Sequence, residues 1–249
     1  MKRFLMPLAA TGAVALLAAC GNTPAPSAQP AADQSTTTLS QADLGEKAQE
    51  ALTKKGTFHV ESKTSGDGPS TLIADVKLGG AKPEFLITAD KTTVMGVGGQ
   101  LYGQGDGFAD GTHWVKDDPN RTGIAALNGT MMRLIAWQAQ PQQLLAGTPY
   151  ATKFETAAGP QVDGAATTQY KLTIDLAKAT QANAFGDYLT AESIKDEKDK
   201  TLTATVLLDG DSLPRKIDYA IGEDGGSSTF SKFGDPVVLA APKIDEVAK

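Results

Sequence analysis

The sequence predicts an α+β protein: one large antiparallel β-sheet curled over helices that cover its concave face. Three observations carry that prediction. Short segments of alternating apolar and polar residues come in two blocks, one on each side of a run with helical spacing. Gly- and Asp-rich turns join neighbouring segments closely, as in hairpins, and the order of strands, helix, strands is not the alternation of βαβ units. Aromatic residues make up only 6% of the chain, while glycine occurs 26 times, a balance that favours strands and turns.

The chain begins with an address. Lys2 and Arg3 precede an apolar run containing Leu5, Met6, Leu8, Val14, Leu16 and Leu17 among alanines, and the run ends in Leu17-Ala18-Ala19-Cys20. This is the three-part build of a secretory signal peptide, too short and alanine-rich to favour a permanent membrane span. Leu-Ala-Ala-Cys resembles the bacterial lipobox, in which the cysteine thiol is joined to diacylglycerol and cleavage leaves that cysteine as residue one. The chemistry needs a thiolate, a far better nucleophile than a hydroxyl. An ordinary signal peptide with a cysteine near the cut is the alternative. Against it stand the uniqueness of Cys20, the following Gly21 and the tether-like residues beyond. The expected division is a signal peptide over 1–19, a lipidated Cys20 with a flexible linker over 20–39, and a single domain over 40–249.

Residues 21–38 hold Pro24, Pro26 and Pro30 among Ala, Ser, Gln and Thr. Such a segment buries too little apolar surface to offset its ordering entropy, and as a flexible spacer it reaches roughly 20–25 Å. A helix is expected from Ser40 to Lys54, with Ser40 as cap, Leu44, Ala48 and Leu52 in its apolar stripe, and Gly56 as terminator. Alternation then begins at Phe58, Val60 and Ser62 and turns at Gly66-Asp67-Gly68-Pro69. It returns at Leu72 to Leu78, Phe85 to Ala89, Thr93 to Met95, Gln100 to Tyr102 and Thr112 to Lys116, a meander of roughly six strands. From Gly123 to Trp137, Ile124, Leu127, Met131, Leu134 and Ile135 fall at helical spacing, and Pro141 opens a short helical turn through Leu144 and Leu145. Strands follow at Tyr150 to Thr156 and Thr168 to Ile174, and a helix is expected from Leu176 to Leu189. The last sheet section covers Thr201 to Leu208, Leu213 to Ile221 and Ser228 to Phe233, with Val237 to Leu239 as a closing strand.

Composition excludes several functions. The formal charge is −6, and it falls to −8 once Lys2 and Arg3 are removed, with no basic cluster. Nucleic acid is therefore not an expected partner, since phosphate affinity rests on grouped Lys and Arg. Neither GVGGQL nor GQGDGF in the glycine-rich stretch after Met95 satisfies a nucleotide loop. Asp106 to Asp117 partly mimics a calcium loop, but Phe108 at its third place offers no oxygen. Two histidines, His59 and His113, lack the spacing of a zinc site. No serine elbow or S-x-x-K pairing appears in a fitting context, so no catalytic set, cofactor or metal is expected. Soft apolar surface is expected instead around Met131-Met132, of a kind that accepts flexible ligands. The candidate cavity residues are Val94, Met95, Leu101, Leu127, Met131, Met132, Leu134, Ile135, Trp137 and Leu144.

Several stretches resemble the actinobacterial lipoproteins of the LppX/LprG type, which share a half-barrel with the periplasmic lipoprotein carrier LolA. They are Thr57-Phe58-His59-Val60, Trp114-Val115-Lys116 before a helical insert, Leu213-Pro214-Arg215-Lys216-Ile217, the run from Phe230 to Val237, and Ala241-Pro242. In element order the resemblance covers most of residues 40–242. It implies a half-barrel with an apolar cavity between sheet and helices, binding acylated lipids or glycolipids and moving them across the cell envelope. The expected protein is a non-enzymatic monomer, held by Cys20 on the outer face of the cell membrane, with an envelope transporter as candidate partner. The competing expectations are a sensor or scaffold of the same fold with a collapsed core, and a hydrolase that lacks a visible nucleophile–base pair.

Overall fold

Period-two alternation sets the inner face of the sheet. In β1 (Thr57–Ser65), Phe58, Val60 and Ser62 are buried while Glu61 and Lys63 face water. The same alternation runs through β2 (Thr71–Lys77), β3 (Glu84–Ala89) and β4 (Thr92–Val97); β5 (Gln100–Gly105), where Gly103 alone is fully buried, and the short β6 (Val115–Lys116) complete the first meander. One row of this face reads Phe58, Val76, Phe85, Gly96, Leu101 from strand to strand. The computed structural model describes residues 38–248 apart from 66–70, 81, 109–110, 119, 121, 187–188, 193, 196–197 and 199. Cys20, the signal segment, nearly all of the linker and the Gly66–Pro69 turn lie outside the described residues.

A second meander follows the helical insert: β7 (Ala151–Ala158), β8 (Thr167–Asp175), β9 (Thr201–Asp209), β10 (Pro214–Ile221) and β11 (Asp224–Ser231). β11 pairs antiparallel with β1, so the two meanders fuse into one eleven-stranded sheet ordered β6-β5-β4-β3-β2-β1-β11-β10-β9-β8-β7. β6 and β7 do not pair with each other, which leaves a half-barrel. At the seam the buried hydroxyls of Ser62 and Ser228 hydrogen-bond at 2.8 Å. All of this lies in one compact unit, Gln34–Lys249.

Helices fill the concave side. α1 (Gln41–Lys55) starts where the Ser40 hydroxyl accepts from the Asp43 amide, and it stops at Gly56, whose φ of 79° suits a residue without Cβ. Leu44, Ala48 and Leu52 form its buried stripe. α1 packs on a 3-10 segment, Pro141–Tyr150, that extends the expected short turn through Pro149. Their approach is close because Gly45 has no side chain: a Cβ there would strike the Leu145 carbonyl and lie 3.1 Å from the Thr148 hydroxyl. α2 (Ile124–Gln138) crosses β3, β4 and β5.

Two expected elements differ. The helix expected over Leu176–Leu189 ends at Gln181 as α3 (Leu176–Gln181). The Thr180 hydroxyl bonds back to the Leu176 carbonyl, Asn183 adopts φ 53°, and the chain folds over so that the Phe185 ring reaches Gly147. The strand expected at Val237–Leu239 does not form. Instead Val247 bridges Trp114 in parallel, with Trp114 N–H donating to the Glu246 carbonyl at 2.9 Å and Ala248 N–H donating to the Trp114 carbonyl at 2.8 Å. The tail thereby extends the sheet just outside β6.

Replacing Gly45 with Ala forces α1 off the 3-10 segment. The expected cost is about 1–3 kcal/mol in urea-induced unfolding, whereas Ala substitution of the exposed Thr53 on the same helix leaves the midpoint within about 0.5 kcal/mol.

Candidate functional site

Two phenylalanine rings lie flat on glycines of the sheet near α2. Gly96 on β4 stands opposite Phe85 on β3, and a Cβ added at Gly96 would lie 2.6 Å from the Phe85 ring. Gly103 on β5 is covered in the same way by Phe108, at 2.6 Å. Each ring lies on the partner glycine rather than standing up toward the helix. Beside Gly96 a cavity of about 650 Å³ opens between α2 and the β3–β5 end of the sheet. Gly96 and Leu101 contribute from the sheet, Leu134, Ala136 and Trp137 from α2, and Leu189 from the loop after α3. Most of this lining is apolar.

α2 is located by a clasp at one edge. The Asp117 carboxylate meets the Arg133 guanidinium at 2.7 Å. Its other oxygen sits against Gly129, where any Cβ would collide with it. Asp117 is itself anchored to β5, its amide donating to the Leu101 carbonyl at 2.9 Å and its carbonyl accepting from Gln100 Nε2 at 2.6 Å. At the far end, Trp137 meets Tyr219 of β10 edge-on, with ring centroids 6.0 Å apart.

Polar groups gather at the rim. Lys82, Gln100, Thr130, Arg133 and Gln143 border the cavity. Glu84 follows close behind Lys82 and is already committed. Hydrogen bonding from Lys77, and next from the Gly98 amide, holds its carboxyl below the usual range. Lys82 makes no ion pair among the described residues, so the rim carries cationic character. Outside the cavity lining, the side-chain oxygens of Gln138, Gln140, Gln142 and Thr148 are buried without a protein partner among the described residues. Such acceptors call for donors from water or a ligand.

Of the ten residues proposed from sequence, Leu101, Leu134 and Trp137 line this cavity. Val94, Met132, Ile135 and Leu144 are buried in the core. Met95 faces the opposite side of the sheet, in register with Leu86 and Tyr102 and out of step with Val94. Leu127 and Met131 project outward from α2. Gly96, Ala136 and Arg133 escaped the sequence reading. A glycine opposite a phenylalanine is the signal that could have found Gly96, but it needs the strand register first.

Other groupings do less. Asp75, His59 and Ser231 stand side by side on β2, β1 and β11, and His59 Nδ1 meets Asp75 at 2.8 Å, but Ser231 makes no hydrogen bond to His59. Phe108 of the calcium-like loop is buried on Gly103, and Asp110 lies outside the described residues. Among the described residues, no three of His, Cys, Asp and Glu are grouped to hold a metal, and no helix is long and apolar enough to cross a membrane.

No protein-family model matches the chain, and no curated protein does. Solved structures do share its fold. The lipoprotein LppX of Mycobacterium tuberculosis aligns with 81% of this chain and 100% of its own, at 17% identity and a TM-score of 0.52. LprF from Mycobacterium bovis aligns over 81% of this chain and 97% of its own, at 13% identity and a TM-score of 0.50. These are structures of the group that the sequence resembles, and the likeness is one of fold.

Burial, and to a lesser extent Asp224, pushes the Tyr219 hydroxyl up to about 12. An unfolded tyrosine ionises near 10. Between these values the native state keeps a proton that the unfolded chain has lost, so stability is full below about pH 10 and declines toward pH 12. Ultraviolet titration of phenolate absorbance is expected to show a late phase near pH 12 that Tyr219→Phe removes.

Proposed function

We propose that this chain is an exported lipoprotein, anchored through acyl groups on Cys20 to the outer face of the cell membrane, that carries acylated lipids or glycolipids across the envelope. The observation that carries this reading is the apolar cavity under α2. Its 650 Å³ falls within the roughly 300–1,000 Å³ of pockets that enclose small organic ligands. A sensor module with a collapsed core would not keep such a volume open. Burial of an acyl chain contributes roughly 0.8 kcal/mol per methylene, so affinity can arise without a polar recognition code. Lys82, which makes no ion pair among the described residues, then receives the head group at the rim while the chain lies inside.

The chemistry is binding and release rather than bond making. The chain acts as a monomer, and an envelope transporter supplies or receives its cargo. One acyl chain on Cys20 would hold the protein only marginally, while two or three give a stable anchor. The spacer then lets the folded unit move while staying close to the bilayer.

Mass spectrometry of organic extracts from a form lacking residues 1–20 is expected to reveal co-purifying long-chain lipid. Ala136→Trp, which fills the cavity, should reduce that lipid about tenfold, the equivalent of losing roughly 1.4 kcal/mol of binding. A lipid-free wild-type protein that long-chain lipids neither bind nor stabilise against heat would end the carrier reading. Separately, Cys20→Ser should release the protein from the membrane fraction without changing lipid binding in solution.

A further inference from the structure

Among the described residues none covers the outward side of α2. Leu127, Met131 and Leu134 are 64%, 37% and 50% exposed, the largest apolar side chains showing on any described helix outside the C-terminal tail. Their spacing of four and three places them in one stripe along the helix. Surface leucines scattered singly need no explanation, but a helical stripe of three is a surface that something meets. Its inner face is occupied: Met132, Ile135 and Ala136 pack inward. α2 is therefore apolar on both sides.

We infer that this stripe seats the rim of the cavity on a lipid surface bearing anionic head groups. Three features choose that occupant over a protein. The stripe is continuous with the cavity, since Leu134 belongs to both and Thr130 and Arg133 lie between them. Whatever covers the stripe therefore also meets the mouth through which cargo passes. Next, α2 carries no carboxylate in its fifteen residues; its one charge, Arg133, is held by Asp117, while Lys82 across the rim makes no ion pair among the described residues, in a chain whose net charge is −6. On the other flank Met131 approaches Gly107, 3.3 Å from where a Cβ there would stand, next to Asp106. Anionic head groups thus favour the Lys82 side and set the tilt of the helix. Finally, the outward set is Leu, Met and Leu with no aromatic anchor. That suits non-directional insertion into acyl chains better than a protein hot spot, which relies on Trp, Tyr and Arg.

This contact rests on the lipid-carrier reading and adds where cargo is exchanged. Three apolar side chains give a weak, reversible contact, as an exchanging carrier needs, and the Cys20 anchor supplies the second signal for stable residence. The helix that roofs the cavity is then also the part of the protein that touches the donor or acceptor bilayer.

The test uses a form lacking residues 1–20, so that no acyl anchor contributes. Co-flotation is measured with phosphatidylcholine vesicles, with and without phosphatidylglycerol, for the wild type, Leu127→Glu and, as a charge control, Thr203→Glu on the opposite sheet face. Loading with a pyrene-labelled diacylglycerol delivered from detergent is measured in parallel. Wild type and Thr203→Glu should float with the anionic vesicles, and Leu127→Glu should lose about tenfold or more, the effect of roughly two methylene groups withdrawn from lipid. All three should load equally from detergent, because Leu127 is not in the cavity. Wild-type protein that ignores both vesicles, or Leu127→Glu protein that floats like wild type, overturns the inference. So does a wild-type dimer that Leu127→Glu dissolves, which would assign the stripe to a second copy. Normal flotation with no loading in any form would instead sink the carrier reading and leave the lipid contact standing.

Discussion

An open apolar sheet face has to be covered, and the rest of the structure depends on that. Row after row of β1 to β5 turns Phe58, Val60, Leu72, Val76, Ile87 and Val94 inward, and β8 to β11 do the same with Tyr170, Leu172, Val206, Ile217 and Phe230. A half-barrel cannot close this face on itself. α1, the 3-10 segment and α3 cover the centre and one end closely, down to the glycine contact at Gly45. α2 covers the other end from a distance. It is propped at one edge by Asp117 against Gly129 and Arg133, and at its far end by Trp137 against Tyr219. Between these props Phe85 lies flat on Gly96, and a cavity stays open beside that glycine.

The sheet's two edges are handled differently. Beside β6 the chain's own tail continues the pairing through Trp114 and Val247, which blunts an edge that would otherwise invite another strand. Among the described residues β7 has no neighbour on its outer side, but it carries Lys153 and Glu155 and a register shift between Ala151 and Lys153. Charge and irregularity both discourage edge-to-edge association.

The cavity's walls are mostly apolar, and its charged groups, Lys82 and Arg133, sit at the rim. The side of α2 that does not face the cavity is apolar as well, where a helix that only roofs a cavity carries polar residues outward. Such a face is costly in water, and Leu134 belongs both to it and to the cavity lining.

Sequence alone determined most of the secondary structure and the fold class, because alternation and turn chemistry are local. Ser40 and Gly56 place the ends of α1 within a residue, the Gly/Asp turns separate the strands with ends that differ by up to four residues, as where β11 starts at Asp224 and not at Ser228, and one inward face follows from counting by twos. It also brought out Leu101, Leu134 and Trp137. It could not separate them from Val94, Met132, Ile135 and Leu144, since an apolar residue reads the same whether it fills a core or lines a space. α3 was read too long because Asn183 breaks it for the sake of a distant contact, Phe185 on Gly147. Tertiary structure decided the rest: that β11 meets β1, that the tail guards β6, and that Phe85 lies on Gly96. Each of these joins residues far apart in the chain or fixes the register between strands. A cavity is the absence of atoms between such partners, so it exists only once the chain has folded.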